Sequence, residues 1–527
     1  MVAMGGLRIS FAPAADIVVT RAVPLRFAPT ADLPMPRFPH FCIFALALGA
    51  ACTGRGAEPQ RVLKLTLDTA LQGALARNFS IEIQRIEPKI AKEAVRQELG
   101  RFDPVWDVSA IREETRRRDV FADSVRLQTR NRSRLDNLSS GISGVSAWGT
   151  EYDLGYGTRG NTGTATLLGD SYETRGSLSL TQPLLRDAGP VANLDKVRIA
   201  RSALKVSEWQ LRQRIIEVID QTVFVYSDLQ AAVENLHVDL RSRELARQLL
   251  KDNQARVEIG VKSPLDVIEA RAVVAAREEA VLLSQRSVLV NENLLKQIVT
   301  TDMMTLLGTR VEIEPPPTVK FAPDVPRGVA DALALRPDYR QGLLELEQQH
   351  IRVAFRKNQL LPRIDLTGSI GLLGLDNDFG SSLSRVGGRD RTEWTAGVIF
   401  SIPLGNRAAR GAYSQAQLEA AKRIMMLNEL EQQIIVDVDN ASGQIVTSEL
   451  RIASNMEARQ LAKASLDAGE ERLRAGTGTT FEVLELQEKL AQAEGAEVRA
   501  RADYNKALSF YYRQTGAALR VHRVEIE

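Results

Sequence analysis

Four acidic residues of this 527-residue chain stand in a setting that occurs twice. Asp266 and Glu269 close the stretch "RVEIGVKSPLDVIEA" (256–270), and Glu482 and Glu485 close "RLRAGTGTTFEVLEL" (472–486). Arg256 matches Arg472 and Gly260 matches Gly476, at a constant offset of 216. Two kinds of chemistry suit these acids. Asp266 and Glu482 lie three residues after Ser263 and Thr479, the spacing of a capping box in which a hydroxyl caps a helix and the acid binds the cap's amide. Pro264 suits the first helical position. Such a cap is worth about 1 kcal/mol and suffices to explain both acids. Glu269 and Glu485, one turn further on, are not explained by it. They are carboxylates available to pair with, or act against, the basic residues nearest in sequence: Arg256, Lys262, Arg472 and Arg474.

An elbow needs helices on both sides. From Val191 to Ile259 there is no Gly and no Pro over 69 residues, and Leu265–Leu307 is also free of both. A helix of the first length would reach roughly 100 Å. Apolar residues recur at threes and fours (Leu204, Ile215, Ile219, Val223, Tyr226, Leu229) with charges between them, as in a bundle or coiled coil. Pro88 predicts a kink in an early helix, and Gly443 and Gly469 predict interruptions of the second long helix.

The repeat extends beyond the elbows. "GRFDPVWDVS" (100–109) aligns with "NQLLPRIDLT" (358–367), pairing Pro104 with Pro362, and "SLTQPLL" (179–185) aligns with "IFSIPLG" (399–405), pairing Pro183 with Pro403. Each copy reads helix, proline, strand, loop, strand, proline, long helix, elbow, helix. The expected organisation is a leader (1–57), a first repeat (58–313) with strand–loop–strand 104–183, a Pro-rich linker (314–327), a second repeat (328–518) with strand–loop–strand 362–403, and a tail (519–527). In "WTAGVIFSIP" the residues Trp394, Ala396, Val398, Phe400 and Ile402 share one face, an alternation that suits a strand half buried in something apolar. Two strands per copy make four per chain. Four cannot close a membrane barrel, so the pattern asks for further chains.

Composition excludes other classes. With 68 basic and 66 acidic residues the formal charge is +2, which leaves no footprint for nucleic acid. The four histidines are scattered without ligand spacing, and no Gly-rich phosphate loop or nucleophile elbow occurs, so neither an enzyme nor a cofactor is expected. The apolar run "FCIFALALGAA" (41–51) has signal-peptide length and ends in small residues before Cys52. Met35 is a candidate start, the mature chain is expected to be exported, and Cys52 is a lipidation candidate.

Taken in order, these features resemble the TolC-like outer-membrane efflux proteins: the leader, the duplicated helix–hairpin–helix, the boundary prolines, "QPLLR" (182–186), "RPDYR" (336–340) and the doubled R-x-x-x-G elbow. The resemblance covers about Leu65 to Gly516. It implies a mainly α chain with a pair of β-hairpins, assembled as a homotrimer. Its 12-strand β-barrel would sit in outer-membrane lipid, joined to a long periplasmic α-helical barrel. It also implies a passive exit duct of a tripartite efflux or secretion system. A periplasmic membrane-fusion adaptor would dock at the elbows, through Arg256, Gly260, Val261, Lys262, Ser263, Leu265, Arg472, Gly476, Thr477, Gly478, Thr479 and Phe481, and couple the duct to an inner-membrane pump. In the family, acids at the positions of Glu482 and Glu485 line the closed constriction, and an acid at that of Asp266 joins inter-chain bonds; Leu473 and Gly478 replace the usual polar and basic partners.

The segment Arg112–Tyr172 has no counterpart in the second copy. It is read as a solvated outer loop, its arginines near lipopolysaccharide phosphates, with an extra barrel hairpin as the second option. The alternative for the whole chain is a periplasmic coiled-coil scaffold or adaptor without a membrane barrel.

Overall fold

The computed structural model describes residues 62–119, 129–163, 170–260, 263–315, 320–388 and 391–524. The candidate start Met35, the leader and Cys52 lie outside them. The chain opens with β1 (Val62–Leu65), α1 (Leu67–Arg77) and α2 (Phe79–Leu99). Four strands follow: β2 (Val105–Asp119), β3 (Thr129–Val145), β4 (Glu151–Gly163) and β5 (Ser171–Pro183). A short α3 (Pro190–Asn193) leads into α4 (Asp195–Glu258), and the first elbow turns the chain into α5 (Pro264–Val299). The strand β6 (Arg310–Ile313) then pairs in parallel with β1.

The second copy repeats this plan with α6 (Val325–Leu335), α7 (Pro337–Asn358), β7 (Arg363–Asp376), α8 (Phe379–Gly387), β8 (Thr392–Ser401), α9 (Arg407–Arg474) and α10 (Thr480–Gln514), and ends in α11 (Ala518–Val521). Each long helix is flanked along its length by two shorter ones, α4 by α5 and α2, α9 by α10 and α7, and the copies meet where α10 packs on α4 and α7 bridges α4 and α9. At 1.5 Å per residue the 64 residues of α4 span about 96 Å. Among the described residues no helix is long and apolar enough to cross a membrane.

Three sequence expectations change. The chain carries six strands in one sheet, ordered β2-β3-β4-β5-β7-β8 with every pair antiparallel, rather than four. The segment 112–172 is largely strand rather than solvated loop: its alternation is diluted by Gly and Ser and becomes legible only once each apolar residue has a lateral neighbour. Gly443 and Gly469 do not break α9, which runs unbroken for 68 residues. A Cβ at Gly469 would sit 2.4 Å from Leu486 Cδ1, so the glycine lets α10 approach closely. Pro88 lies inside α2, as expected of a proline in an early helix.

Between the strands and the elbows, the core is divided into clusters strung along the helices. Tyr226 is fully buried beside Leu229, Leu295, Leu65 and Val311, and its hydroxyl donates to the carbonyls of Leu65 (3.1 Å) and Glu314 (2.6 Å). Burial pushes that hydroxyl's pKa up to about 12, and the bond to Glu314 only partly offsets it. In the second copy "RPDYR" is an anchor. The Arg336 guanidinium meets Asp338 (2.7 Å), Asp437 (3.2 Å) and Gln514 (2.9 Å), tying α7 to α9 and α10. Burial works against its charge, but the bonds to Asp338 and Asp437 outweigh it and raise its pKa.

Candidate functional site

Both elbows are built on the same helix ending. In each, the glycine sits in the left-handed region, with φ of 75° at Gly260 and 77° at Gly476, and its amide donates back three residues: to the Val257 carbonyl (3.0 Å) and the Leu473 carbonyl (3.3 Å). At the second elbow the Thr477 amide also donates to the Arg472 carbonyl at 3.0 Å. That pair of bonds is a Schellman motif, which accounts for the glycine of the R-x-x-x-G pattern; the arginine supplies only its backbone carbonyl to it. Nothing lies within 4 Å of a Cβ added at either glycine, so backbone conformation rather than space demands Gly.

The helices that follow start differently. At the first elbow the Ser263 hydroxyl accepts from the Leu265 amide (3.3 Å), and the Ser263 amide donates to Asp266 Oδ2 (3.2 Å), closing the expected box. At the second, Thr479 accepts from the Glu482 amide (3.1 Å), but the Glu482 carboxylate turns to Arg472 at 2.5 Å, joining the last turn of α9 to the first turn of α10. Glu485 pairs with Lys489 at 2.7 Å, a helical i,i+4 contact readable from the sequence but not read there. Arg474 pairs within its own helix, with Glu471 at 2.7 Å. Glu269 is half-buried on α5. Val261 and Lys262 lie outside the described residues.

The elbows are packed against each other. Leu473, the position where a polar partner was expected, is buried with Leu249, Leu466, Val483 and Leu484. A Cβ on Gly478 would come within 3.0 Å of the Leu473 amide nitrogen, so that turn is tight. Thr480 and Asn253 meet across the two copies at 3.4 Å, a buried contact with no sequence signal, because it joins residues 227 apart. Outside this core the tip displays exposed apolar side chains, Ile259, Leu265, Ile268 and Phe481. Two of these, Ile259 and Ile268, were not singled out by the sequence.

The far end of the chain is a sheet whose β2 and β8 edges have no partner within the chain. The helical layer likewise ends at α5 and α9. Both carry exposed apolar stripes, with Leu282, Leu283 and Leu289 on α5 and Leu418, Met425 and Leu450 on α9. A sheet that exposes large apolar side chains, joined to helices about 96 Å long, defines a class: a chain whose sheet suits lipid and whose helices reach well beyond it.

The comparisons agree. A profile of the family described as "Outer membrane efflux protein" matches residues 149–301 and 328–516. The chain belongs to that family, and its place is the bacterial outer membrane, with the helices extending into the periplasm. The pyoverdine export outer membrane protein OpmQ of Pseudomonas putida is 24% identical over 345 residues, 62% of this chain and 65% of that protein, just under two thirds of its length. Outer membrane protein TolC of Escherichia coli is 24% identical over 375 residues, 68% of this chain and 71% of its own. Among solved structures the Campylobacter jejuni CmeC outer membrane channel aligns with a TM-score of 0.63 at 18% identity, covering 86% of both chains. VceC of Vibrio cholerae aligns at 0.63 and 17%, over 85% of this chain and 96% of its own. These structural likenesses concern the fold.

Proposed function

We propose that the chain is a passive exit duct that works as a homotrimer. Its strands wall a pore through outer-membrane lipid, its helices wall a tube through the periplasm, and its elbows dock a periplasmic adaptor that couples the tube to an inner-membrane pump. The observation that carries this reading is the pair of open edges, one on the sheet and one on the helical layer of the same chain. In lipid, unpaired backbone groups cost several kcal/mol each, so β2 and β8 require strands from elsewhere. The exposed apolar side chains on α5 and α9 leave the helical layer with faces that further chains could cover. A soluble periplasmic scaffold would leave the same sheet face, Trp106, Trp394 and Phe400 included, in water.

In this reading Glu482 and Glu485 stand at the narrowest point, Asp266 contacts a neighbouring chain, and the exposed Ile259, Leu265, Ile268 and Phe481 meet the adaptor. The expectation of 12 strands presumed four per chain, and six require a new count. Light scattering in mild detergent tests the assembly: a stable trimer is expected, and a monodisperse monomer overturns the duct.

A further inference from the structure

We propose that all six strands of each chain stand in the membrane wall. Three chains then close an 18-strand barrel, in which β2 of one protomer pairs with β8 of the next. The occupant of each open edge is a second copy of this chain, so the inference rests on the trimeric reading above.

The register carries it. Trp106 on β2 lies opposite Ile142 on β3, Ile142 opposite Leu154 on β4, Leu154 opposite Leu178 on β5, Leu178 opposite Ile370 on β7, and Ile370 opposite Trp394 on β8. Residues opposite each other in antiparallel strands share a face, so one lateral row of large apolar side chains crosses all six strands, and every one of them is exposed. The neighbouring row on the other face reads Asp107, Gly141, Gly155, Ser177, Gly371, Glu393. In these two rows the added strands continue the apolar and polar faces of the strands in both repeats. A water-exposed hairpin has no reason to continue the apolar row, whereas a lipid-facing wall requires it.

The turn between β3 and β4 points the same way. It is fastened at the helix end of the sheet rather than projecting from the outer end. The Ser146 amide donates to the Thr150 carbonyl (2.8 Å), the Gly189 amide to the Trp148 carbonyl (3.0 Å), and Thr150 Oγ1 to Gln182 Oε1 (2.5 Å). Gly149 has φ of 85°, and a Cβ there would lie 2.5 Å from the Asp187 carbonyl oxygen. The turn therefore packs on the loop that feeds α4.

Closure is geometrically consistent. Strand direction alternates through all six, so β8 of one chain and β2 of the next run antiparallel without any reversal. The helix-side strand ends descend by two residues at three of the five pairings and are flush at the other two. Val145 runs two residues past the level of Val105, Pro183 two past Glu151, and Arg363 two past Pro183. One residue of stagger per strand at ordinary strand spacing corresponds to a tilt of about 35°, within the range of membrane barrels. An 18-strand wall is roughly half again as wide as a 12-strand one.

Engineered cysteines test the seam in the full-length protein in outer-membrane fractions. Val108→Cys on β2 is combined in turn with Ala396→Cys, Val398→Cys and Phe400→Cys on β8, and Leu154→Cys on β4 with the same three. Copper-phenanthroline oxidises facing thiols to a disulfide, read as a shift from monomer to linked dimers and trimers on non-reducing gels. At least one β2–β8 pair should shift and no β4–β8 pair should. Crosslinking through β4 with β2 silent, or a detergent-stable trimer in which no β2–β8 pair links, overturns the 18-strand wall. A monomer by light scattering overturns the trimeric reading itself.

Discussion

At the first elbow Asp266 turns back to the amide of its own cap; at the second Glu482 turns away from its cap to Arg472 on the preceding helix. The two sites share a glycine, a capping hydroxyl and an acid at one spacing, yet one acid is local and the other bridges two helices. Glu482 is one methylene longer than Asp266, and the Schellman turn holds Arg472 beside the start of α10. The box bond of Asp266 lies within its own helix start, while Glu482 fastens the second elbow across the bend.

The largest effect should come from the feature both share. Gly476→Val and Gly260→Val place a β-branched residue at positive φ, each costing about 2 kcal/mol. Both should lower the thermal midpoint of the purified trimer. Adaptor crosslinking and efflux-dependent resistance should fall with them. Equal resistance in both variants and the parent would remove the elbows from docking.

Next come the caps. Ser263→Ala and Thr479→Ala should each cost about 1 kcal/mol. Ser263→Ala removes the capping hydroxyl but keeps the backbone amide that donates to Asp266, so Asp266→Asn added to it should cost a separate increment. Glu482→Gln added to Thr479→Ala should likewise cost a separate increment, through Arg472.

The ion pair itself is smaller. Both side chains are partly exposed, so a double-mutant cycle on Arg472→Ala and Glu482→Gln should give a coupling of up to about 1 kcal/mol, reduced by added salt. The same cycle on Arg256→Ala and Asp266→Asn should give a coupling near zero. Comparable values at the two elbows would mean that both acids pair with the preceding helix.

The smallest change in stability, but the sharpest test of a gate, is Glu485→Gln. It removes an i,i+4 pair with Lys489 worth about 0.3–0.5 kcal/mol. If three copies of Glu485 ring the pore, single-channel currents under a salt gradient should show a reversal potential shifted toward lower cation preference, with helix content unchanged. Because Lys489 lies beside the carboxylate, Lys489→Gln should shift it the opposite way. Unchanged selectivity in both would move the constriction elsewhere.

Elements whose causes are local can be read from the residues alone. A glycine four residues after the start of each matched stretch, a hydroxyl three residues before an acid, and 69 residues without a breaker act over a few turns of one helix. The elbows and α4 were therefore legible to within a few residues, as were the strand boundaries at Pro104, Pro183, Pro362 and Pro403. Tertiary structure decided what depends on neighbours distant in the chain. Ile142 and Leu154 are ordinary residues in a Gly- and Ser-rich stretch until Trp106 and Leu178 are laid beside them. Gly469 reads as a helix breaker until Leu486 fills the space above it. Glu482 reads as a cap partner until the turn presents Arg472. In each case a propensity worth about 1 kcal/mol is overridden by packing or pairing that only the folded chain brings together.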